Sequence, residues 1–191
     1  MESTEKKIII ITAPSGAGKT SITRYLLAKY PKLAFSISAT TRSPRSNEQN
    51  GKDYYFISIN NFQEKIKANE FVEWEMVYEG KYYGTLHAEI ERIWQEGKVP
   101  VLDIDVKGAI HVQQQYPNNT LSIFIEAPSL DDLKKRLESR GTETPDSIAT
   151  RMNKARYEIS FKHHFNIGIV NKELEQACRE AETAIRQFLG W

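Results

Sequence analysis

Apolar residues gather along the chain in strand-length runs at 7–12, 33–38, 99–103, 121–126 and 167–170, and helix-like patterns fill most of the gaps between them. Residues 21–30 and 106–115 read as helices, the second ended by Pro117 with Asn118 and Asn119. Ser129 with Asp132 three residues on has the spacing of a capping box, and Leu130, Leu133 and Leu137 mark the buried side of the helix it opens. Further along, Leu174, Ala177, Cys178, Ala181, Ile185, Phe188 and Leu189 fall on one stripe, which makes Cys178 a core filler rather than a nucleophile. Alternating strands and helices predict a three-layer α/β fold around a central parallel sheet, with ligands at the carboxyl ends of its strands.

Two stretches break the rhythm. Residues 41–84 are dense in aromatic and charged side chains, with β-like pieces at 53–57, 71–77 and 81–83 around a short helix near 60–69. They predict an inserted lobe of mixed α+β structure. Residues 133–152 read as two basic helices joined by Arg140-Gly141-Thr142-Glu143, with Thr144 as N-cap and Pro145 as first residue of the second helix. They predict a helical lid. The expected organisation is one domain over 1–191, with a core from about 1–40, 86–130 and 155–191, a lobe at about 41–85 and a lid at about 131–154.

The junction at 8–20, IIIITAPSGAGKT, carries the most chemistry. After a buried strand the chain must turn sharply, present several backbone N–H groups to one anion, and enter a helix whose N-terminal dipole also favours negative charge. Ala13, Pro14, Ser15, Gly16, Ala17, Gly18, Lys19, Thr20 and Ser21 read as this phosphate cradle, in which Gly16 and Gly18 permit the turn, Lys19 would reach the β and γ phosphates of a nucleotide and the Thr20 hydroxyl would ligate Mg²⁺. Ala13 stands where the G-x-x-x-x-G-K-[ST] pattern has glycine, so any positive φ there would carry a steric cost. A second strand, Val99-Pro100-Val101-Leu102-Asp103, ends in a carboxylate that could support Mg²⁺, directly or through water.

Charge and composition narrow the partners. With 26 Lys and Arg against 25 Asp and Glu, no large positive field exists to hold nucleic acid or an anionic membrane. One Cys rules out an internal disulfide framework, and no apolar stretch approaches the roughly 20 residues that span a bilayer. A reducing cytoplasm is the simplest home, and monomer and homodimer both stay open. Ser38-Ala39-Thr40-Thr41-Arg42-Ser43-Pro44-Arg45 offers two guanidinium forks suited to a dianionic monophosphate, with Tyr54 and Tyr83 downstream as hydroxyl donors. The same segment also reads as a solvated, Arg-rich loop before a hairpin. Glu73, in Phe71-Val72-Glu73-Trp74, equally fits the exposed side of an alternating strand.

The series A-P-S-G-A-G-K-T, S-x-T-T-R-x-P-R-x-x-E-x-x-G-x-x-Y-x-F from Ser38 to Phe56, F-V-E-W, Y-Y-G-T from Tyr82 to Thr85, L-D-I-D from Leu102 to Asp105 and R-L-x-x-R-G-T from Arg136 resembles the guanylate kinases, in order over almost the whole chain. The resemblance implies small-molecule substrates ATP and GMP (and dGMP), with Mg²⁺, and products ADP and GDP. It implies Arg42, Arg45, Tyr54 and Tyr83 on the GMP phosphate, and Ser38, Glu73, Gly84, Thr85 and Asp105 toward guanine. One carboxylate can accept from guanine N1–H and the adjacent amine, an edge that adenine lacks. Arg136, Arg140 and Arg151 match the family's lid arginines, which with Lys19 and Arg42 would carry the phosphoryl transfer, and Asn171 matches a position near the adenine of ATP. Lys172-Glu173 departs from the acid expected beside Asn171, and Asn47 replaces a glycine usual in the P-R-x-G-E stretch.

Three other functions stand against this reading. A guanylate-kinase-like module that binds phosphopeptides would have no use for Lys19, Thr20 and the lid arginines. A GTPase would need an Asp at the fourth position of Asn171-Lys172-Glu173-Leu174. A related kinase acting on another small phosphate would lack the set Ser38, Glu73 and Thr85.

Overall fold

Four isoleucines in a row, stiff and β-branched at Cβ, form the centre of the molecule. In the computed structural model, which describes residues 6–139, 141 and 144–191, they lie in β1 (Ile8–Thr12), all five residues of which are buried. Successive side chains of a strand point to opposite faces. Accordingly Ile9 and Ile11 join a core cluster with Leu26, Ala181 and Ile185, while Ile8 and Ile10 join another with Ile90 and Val112. Helices therefore cover both faces of the sheet. Around β1 the sheet holds β2 (Leu33–Phe35), β7 (Val99–Asp103), β8 (Thr120–Glu126) and β9 (Ile167–Val170), parallel throughout in the order β2-β7-β1-β8-β9.

The lobe forms its own sheet. β3 (Ala39–Thr40), β4 (Tyr55–Phe56), β5 (Phe71–Tyr78) and β6 (Lys81–Leu86) pair in the order β4-β3-β6-β5, with α2 (Ile59–Lys67) packed against it. Phe62 of α2 is fully buried and stacks on Phe71 at 4.3 Å between centroids. The expected strand at 33–38 stops at Phe35 because the Ile37 amide is claimed elsewhere. Ser36 N still donates to Val101 O, but Ile37 N donates at 3.0 Å to Glu89 Oε1, which turns the chain out of the core sheet and into the lobe.

Glu89 lies in α3 (His87–Gln95), a helix not among the elements expected above, in which Ile90, Ile93 and Trp94 recur at helical spacing, the first two buried and Trp94 packed against the core. Its carboxylate is buried and also accepts from the Tyr55 hydroxyl at 2.8 Å and from Arg92 at 3.0 and 2.8 Å. α1 (Lys19–Lys29) and α4 (Val106–Gln115) follow β1 and β7. α5 (Leu130–Glu138) is capped by Ser129, whose hydroxyl accepts from Asp132 N at 3.0 Å and donates to Asp132 Oδ2, so the expected N-cap forms. α6 (Pro145–Ser160) is capped by Thr144 with Pro145 in its first turn, and it continues well past Met152 because Met152 and Ala155 bury against the core. α7 (Leu174–Leu189) buries Ala177, Cys178, Ala181, Ala184 and Ile185; Leu174, at its first position, departs from the expected stripe and is exposed. Among the described residues no helix is long and apolar enough to cross a membrane.

Candidate active site

The cradle opens where β1 ends. Gly16 and Gly18 hold φ of +92° and +103°, a region that favours glycine. A Cβ on Gly18 would also stand 2.1 Å from Asn171 Nδ2. Neither Ala13 nor Asn47 adopts positive φ, so the steric cost attached to losing a glycine at position 13 does not arise, and Asn47 needs no left-handed backbone. Asn171 is buried behind the loop, where its amide donates to Ala17 O at 2.8 Å and its backbone carbonyl accepts from Arg136 Nη2 at 2.7 Å. Asn171 and the lid arginine Arg136 thus brace the back of the cradle and lie off the cleft lining. Arg140 lies outside the described residues.

Register fixes the next contact. Ile11 sits opposite Asp103, so the carboxylate at the end of β7 lies beside the entry to the cradle, and it forms an ion pair with Lys19. Thr20 lines the same space, and Arg151, reaching down from α6, donates from Nη1 to Ser15 Oγ at 2.8 Å. The cleft that begins here has a volume of about 890 Å³ and runs to the inner face of the lobe sheet.

At that far end Glu73 projects from β5. It is buried, and its Oε1 accepts from Thr85 Oγ1 at 2.6 Å, the two residues being paired across β5 and β6. Burial pushes its carboxyl up to about 7, against the Thr85 hydrogen bond and with help from the Asp105 charge. The alternative of an exposed strand position is thereby excluded. Asp105 caps α4, accepting from Gly108 N at 3.0 Å. Gly84 must be small, because a Cβ there would meet Glu73 O, Phe71 and Trp74 within 2.9 Å.

Ser38, Arg45, Tyr54, Tyr83 and Gly84 line this part of the cleft. Arg42 is turned otherwise: both ends of its fork contact Glu48 at 2.6 Å, Nε donates to the Tyr83 hydroxyl at 3.2 Å, and the guanidinium lies over the Tyr54 ring. The Glu48 hydrogen bonds to Arg42 and to Arg45 N hold its carboxyl down at about 2. Sequence reasoning missed Glu75, Lys154 and Glu158, which also line the cleft. The signals were spacing: Glu75 is two residues from Glu73 on a strand, and Lys154 and Glu158 are three and seven from Arg151 on a helix. Glu158 is buried and raised by that burial, against the charges of Lys154 and Lys19. Among the described residues no group of three His, Cys, Asp or Glu could hold a metal by itself.

A glycine cradle between strand and helix, with its lysine held by a carboxylate at the end of a neighbouring parallel strand, defines the P-loop class of phosphate-binding proteins. The guanylate kinase family model matches residues 5–188. A guanylate kinase of Bacteroides fragilis is 47% identical over 97% of this chain and 91% of its own length, and one of Porphyromonas gingivalis is 48% identical over 96% and 98%. Among solved structures, a guanylate kinase from Anaplasma phagocytophilum matches with a TM-score of 0.76 and 27% identity, over 97% of this chain and 87% of that one. The chain belongs to the guanylate kinase family, whose reaction is the phosphorylation of GMP by ATP.

Proposed function

We propose that the cleft binds ATP at the cradle and GMP against the lobe sheet, and that the γ-phosphoryl group passes between them, with dGMP as a further acceptor. The observation that carries this division is the buried Glu73, hydrogen-bonded to Thr85 and next to Asp105, at the end of the cleft away from Lys19. Glu73 accepts from guanine N1–H and the amine, held in place by the Thr85 hydroxyl that donates to it, and the Ser38 hydroxyl donates toward O6. Arg45, Tyr54 and Tyr83 hold the GMP phosphate, joined by Arg42 once its fork leaves Glu48. The attacking oxygen belongs to a phosphate that is already anionic, so the protein supplies orientation and positive charge rather than a base.

Lys19 releases Asp103 to reach the β and γ phosphates, and Arg151 crosses to the same group from α6. Arg136 and Arg140 are assigned to the lid's grip on ATP, and Asn171 to its adenine end. The Thr20 hydroxyl and the Asp103 carboxylate are hard oxygen donors lining one stretch of cleft. That set fits Mg²⁺, which keeps several waters and takes one or two protein ligands with phosphate oxygens. When bound, Mg²⁺ neutralises charge on the phosphates. The core, lobe and lid act as parts of a single domain, and the protein works in the cytoplasm as monomer or homodimer.

The test is ADP release from ATP with GMP, AMP, CMP and UMP as acceptors, with and without Mg²⁺. Mg²⁺-dependent turnover with GMP far above the others is expected, and equal turnover with AMP would overturn the guanine assignment. Gly108 offers an independent check. Alanine ordinarily stabilises a helix interior over glycine by about 0.5–1 kcal/mol, yet here its methyl would stand 2.6 Å from Glu73 Oε2. Gly108→Ala is expected to raise KM for GMP by up to about a hundredfold through displacement of Glu73, leaving KM for ATP unmoved in steady-state kinetics.

A further inference from the structure

The loop that carries Arg42 and Arg45 also holds a carboxylate to which the proposed reaction gives no task. Glu48 closes on Arg42 as a pair of phosphate oxygens would: Oε2 and Oε1 accept from Nη1 and Nη2 at 2.6 Å each, and Oε2 also takes the Arg45 amide at 2.8 Å. Arg42 gives its Nε hydrogen to the Tyr83 hydroxyl at 3.2 Å and another from Nη1 to Ser43 O at 3.0 Å. Four of its five N–H groups are thus engaged within the chain.

Arg45, Tyr54 and Tyr83 line the cleft, whereas Arg42 and Glu48 lie off it, with the Arg42 guanidinium 5.0 Å from the centre of the Tyr54 ring. Arg42 is held back, one ring away from the phosphate site assigned to it. The pair is only 15% and 13% exposed, so water screens it little. Glu48 is six residues from Arg42 and anchored at the Arg45 amide, so it competes for the guanidinium at the effective concentration of a short tether, on the order of a millimolar or more. A free phosphate ion must displace this carboxylate with no other contact to offset the loss. The phosphate of GMP arrives with its guanine held at Glu73, and so meets Arg42 as a tethered group itself.

We propose that Glu48 is a specificity-determining residue: it occupies Arg42 in place of the GMP phosphate and keeps free inorganic phosphate out of the acceptor site. Glu48 acts through Arg42 and touches no reacting atom. The inference rests on the reading of Arg42, Arg45, Tyr54 and Tyr83 as the grip on the GMP phosphate. It makes the arginine's release conditional on a ligand that brings both a phosphate and a base.

The test is steady-state kinetics of the full chain and its Glu48→Gln variant, with GMP varied at several fixed concentrations of inorganic phosphate. Glutamine keeps an oxygen for the Arg45 amide and loses the charge that holds Arg42. Phosphate is expected to inhibit the variant competitively with GMP at about tenfold lower concentration than it inhibits the wild type, the scale of one charge-assisted hydrogen bond. KM for GMP is expected to fall by a similar factor, with KM for ATP unchanged. Thermal melts accompany the kinetics, and Glu48→Asp, one methylene too short to span the Arg42 fork, replaces the glutamine variant if that one melts early. The inference is overturned if KM for GMP rises without new sensitivity to phosphate, which would make Glu48 a brace for the loop, or if phosphate gains force only against ATP, which would place it at the cradle. Arg42→Ala is expected to raise KM for GMP. An unchanged KM there would remove Arg42 from the phosphate site, and the role of Glu48 with it.

Discussion

Lys19→Ala is expected to cut kcat by about a thousandfold, the upper end of what one preorganised group aimed at developing charge supplies. The lysine begins α1, directly after a glycine whose φ of +103° sets the direction of the first helical turn, so its ammonium is delivered by backbone geometry rather than by a flexible search. Asp103 then holds the amine at the mouth of the cleft. Because the two side chains are 22% and 24% exposed, their pair is hydrated at its edge, and losing it should leave the fold standing. The expected signature is a collapse of kcat with little change in thermal midpoint or in GMP affinity by calorimetry. An unchanged kcat would remove Lys19 from the chemistry.

Glu73→Gln is expected to weaken GMP by about a hundredfold and ATP hardly at all. The amide supplies one acceptor where two are needed and turns an N–H toward guanine's own donors, so the loss stands at the upper end of the roughly 1.5–3 kcal/mol of one hydrogen bond to a charged group. Acid provides a second reading of the same residue. Since Glu73 titrates at about 7, GMP affinity should fall as pH drops below that value, and the glutamine variant should lose this dependence. Stability runs in the opposite sense. The folded-state value lies above the ordinary 4.5, so the native chain holds an extra proton between the two, and stability falls as pH rises from about 4.5 through about 7. A single group of this kind accounts for about 3 kcal/mol, which paired pH-dependent melts of wild type and Glu73→Gln would isolate. Equal losses for ATP and GMP would assign Glu73 a structural role.

What was legible in the sequence was what is local. β1, the cradle and the caps at Ser129 and Thr144 are written in consecutive residues, each with its own physical reason. What was not legible depends on partners far along the chain. β2 is shorter than its apolar run because a carboxylate 52 residues away takes the Ile37 amide. Arg42 turns to Glu48 and Asn171 to Ala17 for reasons of three-dimensional reach that spacing does not encode. Glu75 and Lys154 were passed over because a strand or helix face acquires meaning only once its opposite wall is known.

The chain enters the lobe at Ile37 and returns through β6 into α3. Glu89, in the first turn of that helix, holds the Ile37 amide on the way in and the Tyr55 hydroxyl from within the lobe. Inbound and outbound passages are therefore fastened to one buried carboxylate, with Arg92 as its counter-charge. In mechanical terms this is a shared anchor for both crossings, and it lies outside the lining of the cleft.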